Sequence, residues 1–294
     1  MISRDSINFD CLTLFFRNLI SILPRILIMS DTPELYHYTD KAGLFGMAQN
    51  KTLWLTNVRF MNDKTEFNYG LNLVKKFIEA KYDKRLGQFL NDKELRFEEV
   101  PYTFSFSLSE NKDTLSQWRG YCPKGGFSLS FDKEMLDSLL RKNNLRIQQC
   151  FYEQSDIEKF IIQEIVRMTP EEYQKSVDMP FYNKGMERMP FDLVSRVFSQ
   201  IPFIKDIGFK EEKEWRIVKH DHHEKPIAHQ KEIKYRDRNN KKIPYLEYSI
   251  DGLERSLIKG ALLFPIGQDS ESIQEVKNIL NSENVFETEI PYQF

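Results

Sequence analysis

The chain has almost no net charge and very few cysteines. Its 294 residues carry 42 basic and 44 acidic side chains, giving a formal net charge of −2. A nearly neutral chain lacks the basic footprint of a typical nucleic-acid binder, although a local basic groove is not excluded. The cysteines, Cys11, Cys122 and Cys150, lie far apart and form no CxxC pair. This spacing favours buried thiols in a reducing compartment, so we expect a cytoplasmic protein.

Motifs of several large enzyme classes are also missing. The sequence contains no GxGxxG, P-loop, GxSxG or HExxH pattern. The histidine-rich stretch HDHH at 220–223 has poor spacing for a metal site, so we interpret it as a solvated turn and predict no metal. An apolar stretch at 11–29 is interrupted by Arg17, Pro24 and Arg25. Because a membrane span needs about 20 mainly apolar residues, no span is predicted.

The N-terminal 30 residues are predicted to be an extension, and two interpretations of it remain. It is either an amphipathic helix that packs on the body or touches a membrane surface, or a non-native extension with translation starting at Met29. We favour the second interpretation. In the rest of the chain, strands come first, then a helical middle, then strands again, which is not βαβ alternation. Residues 31–294 are therefore predicted to form a single α+β domain with a helical insertion near 133–207.

Alternating serines mark two of the predicted strands. In YTFSFSLS at 102–109 and GFSLSFD at 126–132, apolar side chains point one way and hydroxyls the other. The pattern indicates half-buried strands with a hydroxyl-lined second face. Ser105 and Ser107 could therefore meet water, or form the floor of a polar ligand site.

The stretch FKEEKEWRIV at 209–218 is predicted to be a strand on which Glu212, Glu214 and Arg216 share one face. Two carboxylates so placed lie about 6–7 Å apart and repel each other unless a cation or ligand compensates. Such a pair can orient a hydroxyl and stabilise a cationic transition state. The alternative is a solvated face with an arginine counter-ion, and the pattern alone favours that alternative.

A histidine flanked by two tyrosines occupies the first predicted strand, LYHYT at 35–39. His37 shares a face with Thr39, while Tyr36 and Tyr38 point the other way. A single histidine on a strand is more often structural than catalytic. Histidine can also bond a sugar hydroxyl, however, and tyrosine can stack on a flat ring.

The motifs together resemble a bacterial domain-of-unknown-function family, the one numbered 2971. The resemblance rests on the order of LYHYT, LWLTNVRFMNDKTEF, FSFS, QWRGY, GFSLSFD and FKEEKEWRI, and extends from about Leu35 to the segment SLIKGALLFPIG. These motifs together are also similar, but more weakly, to those of the ADP-ribosyltransferase fold. That fold consists of split β-sheets with flanking helices and binds NAD in the cleft between them.

The second resemblance implies roles for individual residues. His37 would bond a ribose hydroxyl of NAD, Tyr36 or Tyr38 would stack on a ring, and Ser105 or Ser107 would support the cleft. Glu214 would hold the nicotinamide-ribose 2′-hydroxyl, and Glu212 would orient the acceptor. The remaining binding residues expected from this reading are Thr39, Trp118, Arg119 and Arg216, with Arg119 a candidate contact for a pyrophosphate.

The function expected from this resemblance is transfer of ADP-ribose from NAD to an unknown protein or nucleic-acid acceptor. A toxin or phage-defence effector is the setting suggested by analogy, and attack by water would give NAD hydrolysis. The main alternative is a non-catalytic module that binds a nucleotide or a nucleic-acid end in the same cleft. Two further options are a purely structural partner protein, and NAD-dependent removal of a phosphate from an RNA end, which would need several basic residues in the cleft.

Overall fold

The structure is a computed structural model. It describes residues 34–61, 64–84, 86–88, 90, 103–142, 145–177, 189–220, 232–238, 240–251, 256–264 and 270–291. The described residues belong to one compact unit, Glu34–Phe294. The predicted extension at 1–30, and most of the HDHH stretch, lie outside the described residues.

Ten strands form one mixed sheet within the described part of the chain. In chain order they are β1 (Glu34–Thr39), β2 (Thr52–Asn57), β3 (Thr103–Ser109), β4 (Gly126–Asp132), β5 (Arg146–Gln149), β6 (Glu214–His220), β7 (Ile233–Arg238), β8 (Lys241–Ser249), β9 (Ile258–Phe264) and β10 (Val285–Glu287).

In the described part of the chain, eight helices with defined bounds accompany the sheet. They are α1 (Lys41–Asn50), α2 (Lys64–Lys81), α3 (Leu115–Tyr121), α4 (Lys133–Lys142), α5 (Gln154–Phe160), α6 (Pro170–Val177), α7 (Met189–Gln200) and α8 (Ser270–Leu280). A π-helical segment, Ile161–Val166, continues α5, and short 3₁₀ helices cover Val58–Phe60, Ile201–Phe203 and Ile207–Glu212. The combination of helices with a mixed sheet confirms the predicted α+β class.

The sheet divides at β3. One edge of β3 pairs with β6 along its whole length, from Thr103 to Ser109. The other edge is shared by two strands, because β1 pairs only at Ser109 and β2 pairs only at Phe104 and Ser105. From this point β1 leads to β4, β9 and β10, whereas β2 leads to β8 and β7. Two arms of the sheet therefore diverge on either side of Ser107.

Two apolar clusters hold the sheet and its helices together. The first packs one face of the sheet, including Phe106 and Leu129, against α1, α4 and α8. The second is built mainly by α2, the π-helical segment and α7, and it reaches β6 at Val218. Helix α2 contributes Leu71, Val74 and Ile78 to this cluster, because spacings of three and four place these side chains on one helical face.

The serine faces of β3 and β4 are covered, which differs from the half-exposed strands that the alternation predicts. Ser105, Ser109, Ser128 and Ser130 are all buried. Near β6 the cover comes from the helical insertion, where Thr103 Oγ1 donates to the carbonyl of Phe198 at 3.4 Å. Period-two alternation identifies two faces of a strand, but it does not say what packs on the polar one.

The predicted strand at 209–218 forms only in its second half. Residues Ile207–Glu212 are a 3₁₀ helix, and Lys213 has a left-handed backbone conformation with φ of 42° before β6 begins. Glu212 therefore does not share a strand face with Glu214. The predicted helical insertion contains the short strand β5, which pairs with β6.

Helix α6, within the predicted insertion, begins with a capping box. At the start of α6, Glu172 N donates to Thr169 Oγ1 and Thr169 N donates to Glu172 Oε2, which is the reciprocal bonding of a capping box.

Among the described residues, no helix combines the length and apolar character needed to cross a membrane.

Candidate functional site

A cavity of about 550 Å³ opens where the two arms of the sheet diverge. Its walls come from β1, α1, β2, β3, α3 and β7, so it collects residues from distant parts of the chain. Volumes of about 300–1,000 Å³ are typical of small-molecule sites. The lining residues used below are His37, Thr39, Trp54, Ser105, Ser107 and Arg236.

His37 lies where the two arms of the sheet diverge from β3. Its Nδ1 is 2.8 Å from the carbonyl oxygen of Ser107, between the residues of β3 that pair with β1 and with β2. The ring also stacks on Phe106, with centroids 4.1 Å apart. The histidine thus satisfies a backbone carbonyl at the position where the strands part.

The protonation state of His37 follows from these contacts. Burial lowers the pKa of His37 to about 4, although the bond to Ser107 favours the charged form. The ring is therefore neutral at pH 7. Because a carbonyl oxygen only accepts, Nδ1 carries the proton and Nε2 carries a lone pair. A side chain in this state can accept a hydrogen bond from a ligand hydroxyl.

A second, smaller cavity of about 20 Å³ adjoins the first. The two share His37, Tyr38, Ser107 and Tyr121 as lining residues. The smaller cavity is also lined by Glu212 and Glu214, together with Tyr36. The carboxylate pair singled out from the sequence therefore lies beside the histidine, across Ser107.

Glu214 is held in a buried ion cluster. Its Oε1 accepts from Arg216 Nε at 2.7 Å, and its Oε2 accepts from Lys205 Nζ at 2.5 Å and from Arg216 Nη2 at 2.8 Å. Lys205 also donates to Glu212 Oε2 at 2.6 Å, and Arg216 donates to Glu66 Oε1 at 2.5 Å. Three carboxylates thus surround two cations.

The cluster keeps Glu214 ionised. Burial alone disfavours its charge, but Arg216 and Lys205 outweigh that cost and lower the pKa of Glu214 to about 2. The pKa of Lys205 is raised, because Glu214 and the other two carboxylates outweigh the effect of burial. Burial raises the pKa of Glu66 in spite of its contact with Arg216. Glu66 therefore takes up a proton more readily than Glu214.

The remaining residues expected at a site fall into two groups. Tyr36, Tyr38, Thr39, Ser105 and Ser107 all line one or both cavities. Tyr36 donates to Glu34 and Tyr38 to the carbonyl of Asn111, so both rings are anchored.

Trp118, Arg119 and Arg216 have other positions. Trp118 is fully buried in a third apolar cluster, stacked on Phe264 at 4.8 Å, and lines neither cavity. Arg119 is exposed and is also absent from both cavity walls. Arg216 is buried, is a counter-ion of Glu214 and lines neither of these two cavities.

Sequence reasoning missed four residues of this region: Lys205, Glu66, Tyr121 and Arg236. A lysine inside the apolar run IPFIKDIGF was a usable signal, because a buried lysine requires a partner. Arg236 lies in the highly charged stretch KYRDR, which is typical of a solvent-exposed segment. Within the described residues, no group of three or more potential metal ligands comes together.

Comparison with known proteins identifies a family for the middle of the chain. Residues 117–217 match the family described as protein of unknown function (DUF2971). The family resemblance predicted from the motifs is confirmed over this segment, which runs from α3 into β6 and includes Glu214 and Arg216. Outside the segment the resemblance stays a prediction. No curated protein and no solved structure matches the chain.

Proposed function

We propose that the cavity at the division of the sheet binds NAD, and that the chain transfers ADP-ribose from NAD to an acceptor on an ADP-ribosyltransferase-like fold. One observation carries the proposal: a neutral histidine and an ionised glutamate line adjoining cavities at the place where the sheet splits. The histidine is His37, whose Nε2 accepts a hydrogen bond from a ribose hydroxyl. The glutamate is Glu214, whose negative charge is fixed before the substrate arrives.

The reaction needs little covalent chemistry from the protein. The bond between the ribose C1′ and nicotinamide breaks, and its electron pair leaves with nicotinamide. The remaining sugar resembles an oxocarbenium ion, as in glycoside cleavage, and a fixed carboxylate stabilises that positive charge. The acceptor then bonds to C1′ and releases its proton. Water as the acceptor would give free ADP-ribose.

The best test is nicotinamide release from NAD by the purified chain, with cell lysate supplied as acceptor. The variant Glu214→Asp retains a charge for Lys205 and Arg216 but withdraws the carboxylate by one methylene from the cavity. We expect at least a hundredfold loss of release, with the folded state preserved. Glu214→Gln tests the charge itself, and its folding must be checked because it leaves two buried cations less compensated.

A neighbouring glutamate provides the control. Glu211 is exposed and lines neither cavity, so Glu211→Gln should release nicotinamide at the wild-type rate. Release that survives in a folded Glu214→Gln variant would remove Glu214 from the mechanism. Absence of release by the wild type, with lysate present, would reject the transferase.

A second candidate function is non-catalytic nucleotide binding, and one observation favours it. Both carboxylate oxygens of Glu214 already accept hydrogen bonds from Lys205 and Arg216, as they would in a purely structural cluster. This candidate predicts NAD binding without turnover. Phosphate removal from an RNA end is less well supported, because Arg236 is the one lysine or arginine lining the larger cavity among the described residues.

A further inference from the structure

Arg236 is the cationic side chain in the wall of the larger cavity, and its neighbours fix its position. It lies on β7, with its guanidinium carbon 5.6 Å from the ring centre of Trp54 and 5.8 Å from that of Tyr245. Its Nη2 donates to Thr56 Oγ1 at 3.0 Å. Contacts with two aromatic rings and a hydroxyl limit the rotamers of a long side chain and prepare its planar guanidinium for bidentate contact with an anion.

The strand register connects Arg236 with Ser105. Thr56 on β2 is paired with Ser105 on β3 and with Tyr245 on β8, so these three residues form one row across the sheet. Directly paired residues project from the same face, with Cβ atoms about 4.5–5.5 Å apart. The hydroxyl that binds Arg236 is therefore the immediate neighbour of Ser105.

Ser105 has an unused hydroxyl in the same cavity. The residue is 3% exposed and lines the cavity, and its Oγ has no hydrogen-bond partner among the described residues. A buried hydroxyl without a partner costs about 1–3 kcal/mol, so such groups are rare and point to a ligand or solvent. The two acidic side chains in the cavity wall have other roles: Asp40 caps α1 and Asp237 pairs with Lys242.

We propose that Arg236 and Ser105 bind a phosphate group of the nucleotide in this cavity. The guanidinium offers a planar pair of N–H donors to two phosphate oxygens, and Ser105 Oγ donates to a phosphate oxygen from the neighbouring strand. Thr56 and the rings of Trp54 and Tyr245 position the guanidinium. The inference rests on the proposed function in taking NAD as the nucleotide, and it assigns one end of the cavity to the pyrophosphate.

The test compares ADP-ribose with adenosine, which lacks phosphate, by isothermal titration calorimetry. The wild type should bind ADP-ribose more tightly than adenosine. Arg236→Gln should weaken ADP-ribose binding at least about tenfold and leave adenosine binding unchanged, because a hydrogen bond to a charged group is lost. Ser105→Ala, which removes only the hydroxyl, should weaken ADP-ribose binding in the same selective way by a smaller factor.

A surface arginine is the matched control. Arg141 on α4 is 77% exposed and pairs with Asp137, so Arg141→Gln should bind both ligands as the wild type does. Raising the KCl concentration should weaken ADP-ribose binding to the wild type more than binding to Arg236→Gln. Equal losses for ADP-ribose and adenosine, unchanged binding by Arg236→Gln, or no ADP-ribose binding by the wild type would each overturn the phosphate site.

Failure of this inference is distinguishable from failure of the proposed reaction. ADP-ribose binding that depends on Arg236, without nicotinamide release, would retain the phosphate site and reject the transferase. Nicotinamide release with an unchanged KM for NAD in Arg236→Gln would retain the transferase and reject the phosphate site. Thermal unfolding verifies that each variant is folded. If Arg236→Gln does not fold, Ser105→Ala provides the test.

Discussion

The ammonium nitrogen of Lys205 lies 2.5 Å from Glu214 Oε2, and each of these residues is only 3% exposed. Removing one member of a buried ion pair leaves the other charge without compensation and costs about 3–5 kcal/mol. Lys205→Met should therefore lower the free energy of unfolding by about that amount, measured by urea denaturation followed by circular dichroism.

The control for this prediction is an exposed lysine in an equally short pair. Lys210 lies 2.5 Å from Glu153, but its side chain is 61% exposed. Exposed pairs contribute at most about 1 kcal/mol, so Lys210→Met should change stability little. Similar small losses in both variants would show that the Lys205 cluster is not a buried ion network in solution.

The pH dependence of stability should report the environment of His37. An unfolded histidine takes up a proton below about pH 6.5, whereas burial lowers the pKa of folded His37 to about 4. The unfolded chain therefore binds more protons in this window, so stability falls as the pH is lowered from about 6.5 to about 4. His37→Phe retains a ring for stacking on Phe106 but removes the titrating group.

Chemical denaturation across this pH range checks the prediction. The stability curve of His37→Phe should be flatter than that of the wild type between about pH 4 and pH 6.5, and parallel to it above pH 7. Titration of His37 by NMR gives the pKa directly. A value near 6.5 would contradict a buried, neutral ring.

Gly126 is expected to tolerate no side chain. A Cβ at this position would lie 2.4 Å from the carbonyl oxygen of Thr39 and 2.7 Å from Cys122 Sγ. Overpacking of this kind costs about 1–3 kcal/mol, so Gly126→Ala should lower the thermal unfolding temperature. At Gly120, in α3, a Cβ would meet no atom within 4 Å. Gly120→Ala should raise the free energy of unfolding by up to about 1 kcal/mol. A lower unfolding temperature in both variants would contradict the difference expected between the two glycines.

The two described cysteines should resist alkylation in the folded chain. Cys122 and Cys150 are 1% and 4% exposed. Burial raises the pKa of Cys122 to about 12 and raises that of Cys150 as well. Because the thiolate is the reactive form, iodoacetamide at neutral pH should label neither residue until urea is added. Peptide mass spectrometry measures each site separately, and native labelling of Cys122 at the denatured rate would disprove its burial.

The strands with apolar alternation were predicted well from the sequence. The pattern in GFSLSFD coincides with β4, and that in FSFSLS lies within β3. These segments bury one apolar side chain in every two residues, so local pattern and tertiary packing agree. At 210–213 all four residues are charged, so the sequence shows no apolar alternation there, and Ile207–Glu212 form a 3₁₀ helix instead of a strand.

The site itself was only partly predictable. His37 and Glu214 were recognisable as candidates, because an isolated histidine and a closely spaced carboxylate pair stand out in short stretches of sequence. Glu66 and Arg236 were not, because their roles depend on contacts between distant segments. Glu66 meets Arg216 across 150 positions of sequence, and neither local stretch indicates the other.

The shared edge of β3 also has a consequence for synthesis of the chain. This strand takes partners from β1, from β2 and from β6, which is made more than 100 residues later, and the last residues of the cavity wall, Arg236 and Asp237, lie on β7. On a nascent chain the wall of this cavity is therefore incomplete until β7 has emerged from the ribosome. Once the cavity wall is complete, a ligand that binds there and is present at a hundred times its Kd would add about 2.7 kcal/mol to the free energy of unfolding of the whole unit. A ligand in the cavity would thus lengthen the survival of the finished protein against proteases that cut the unfolded chain.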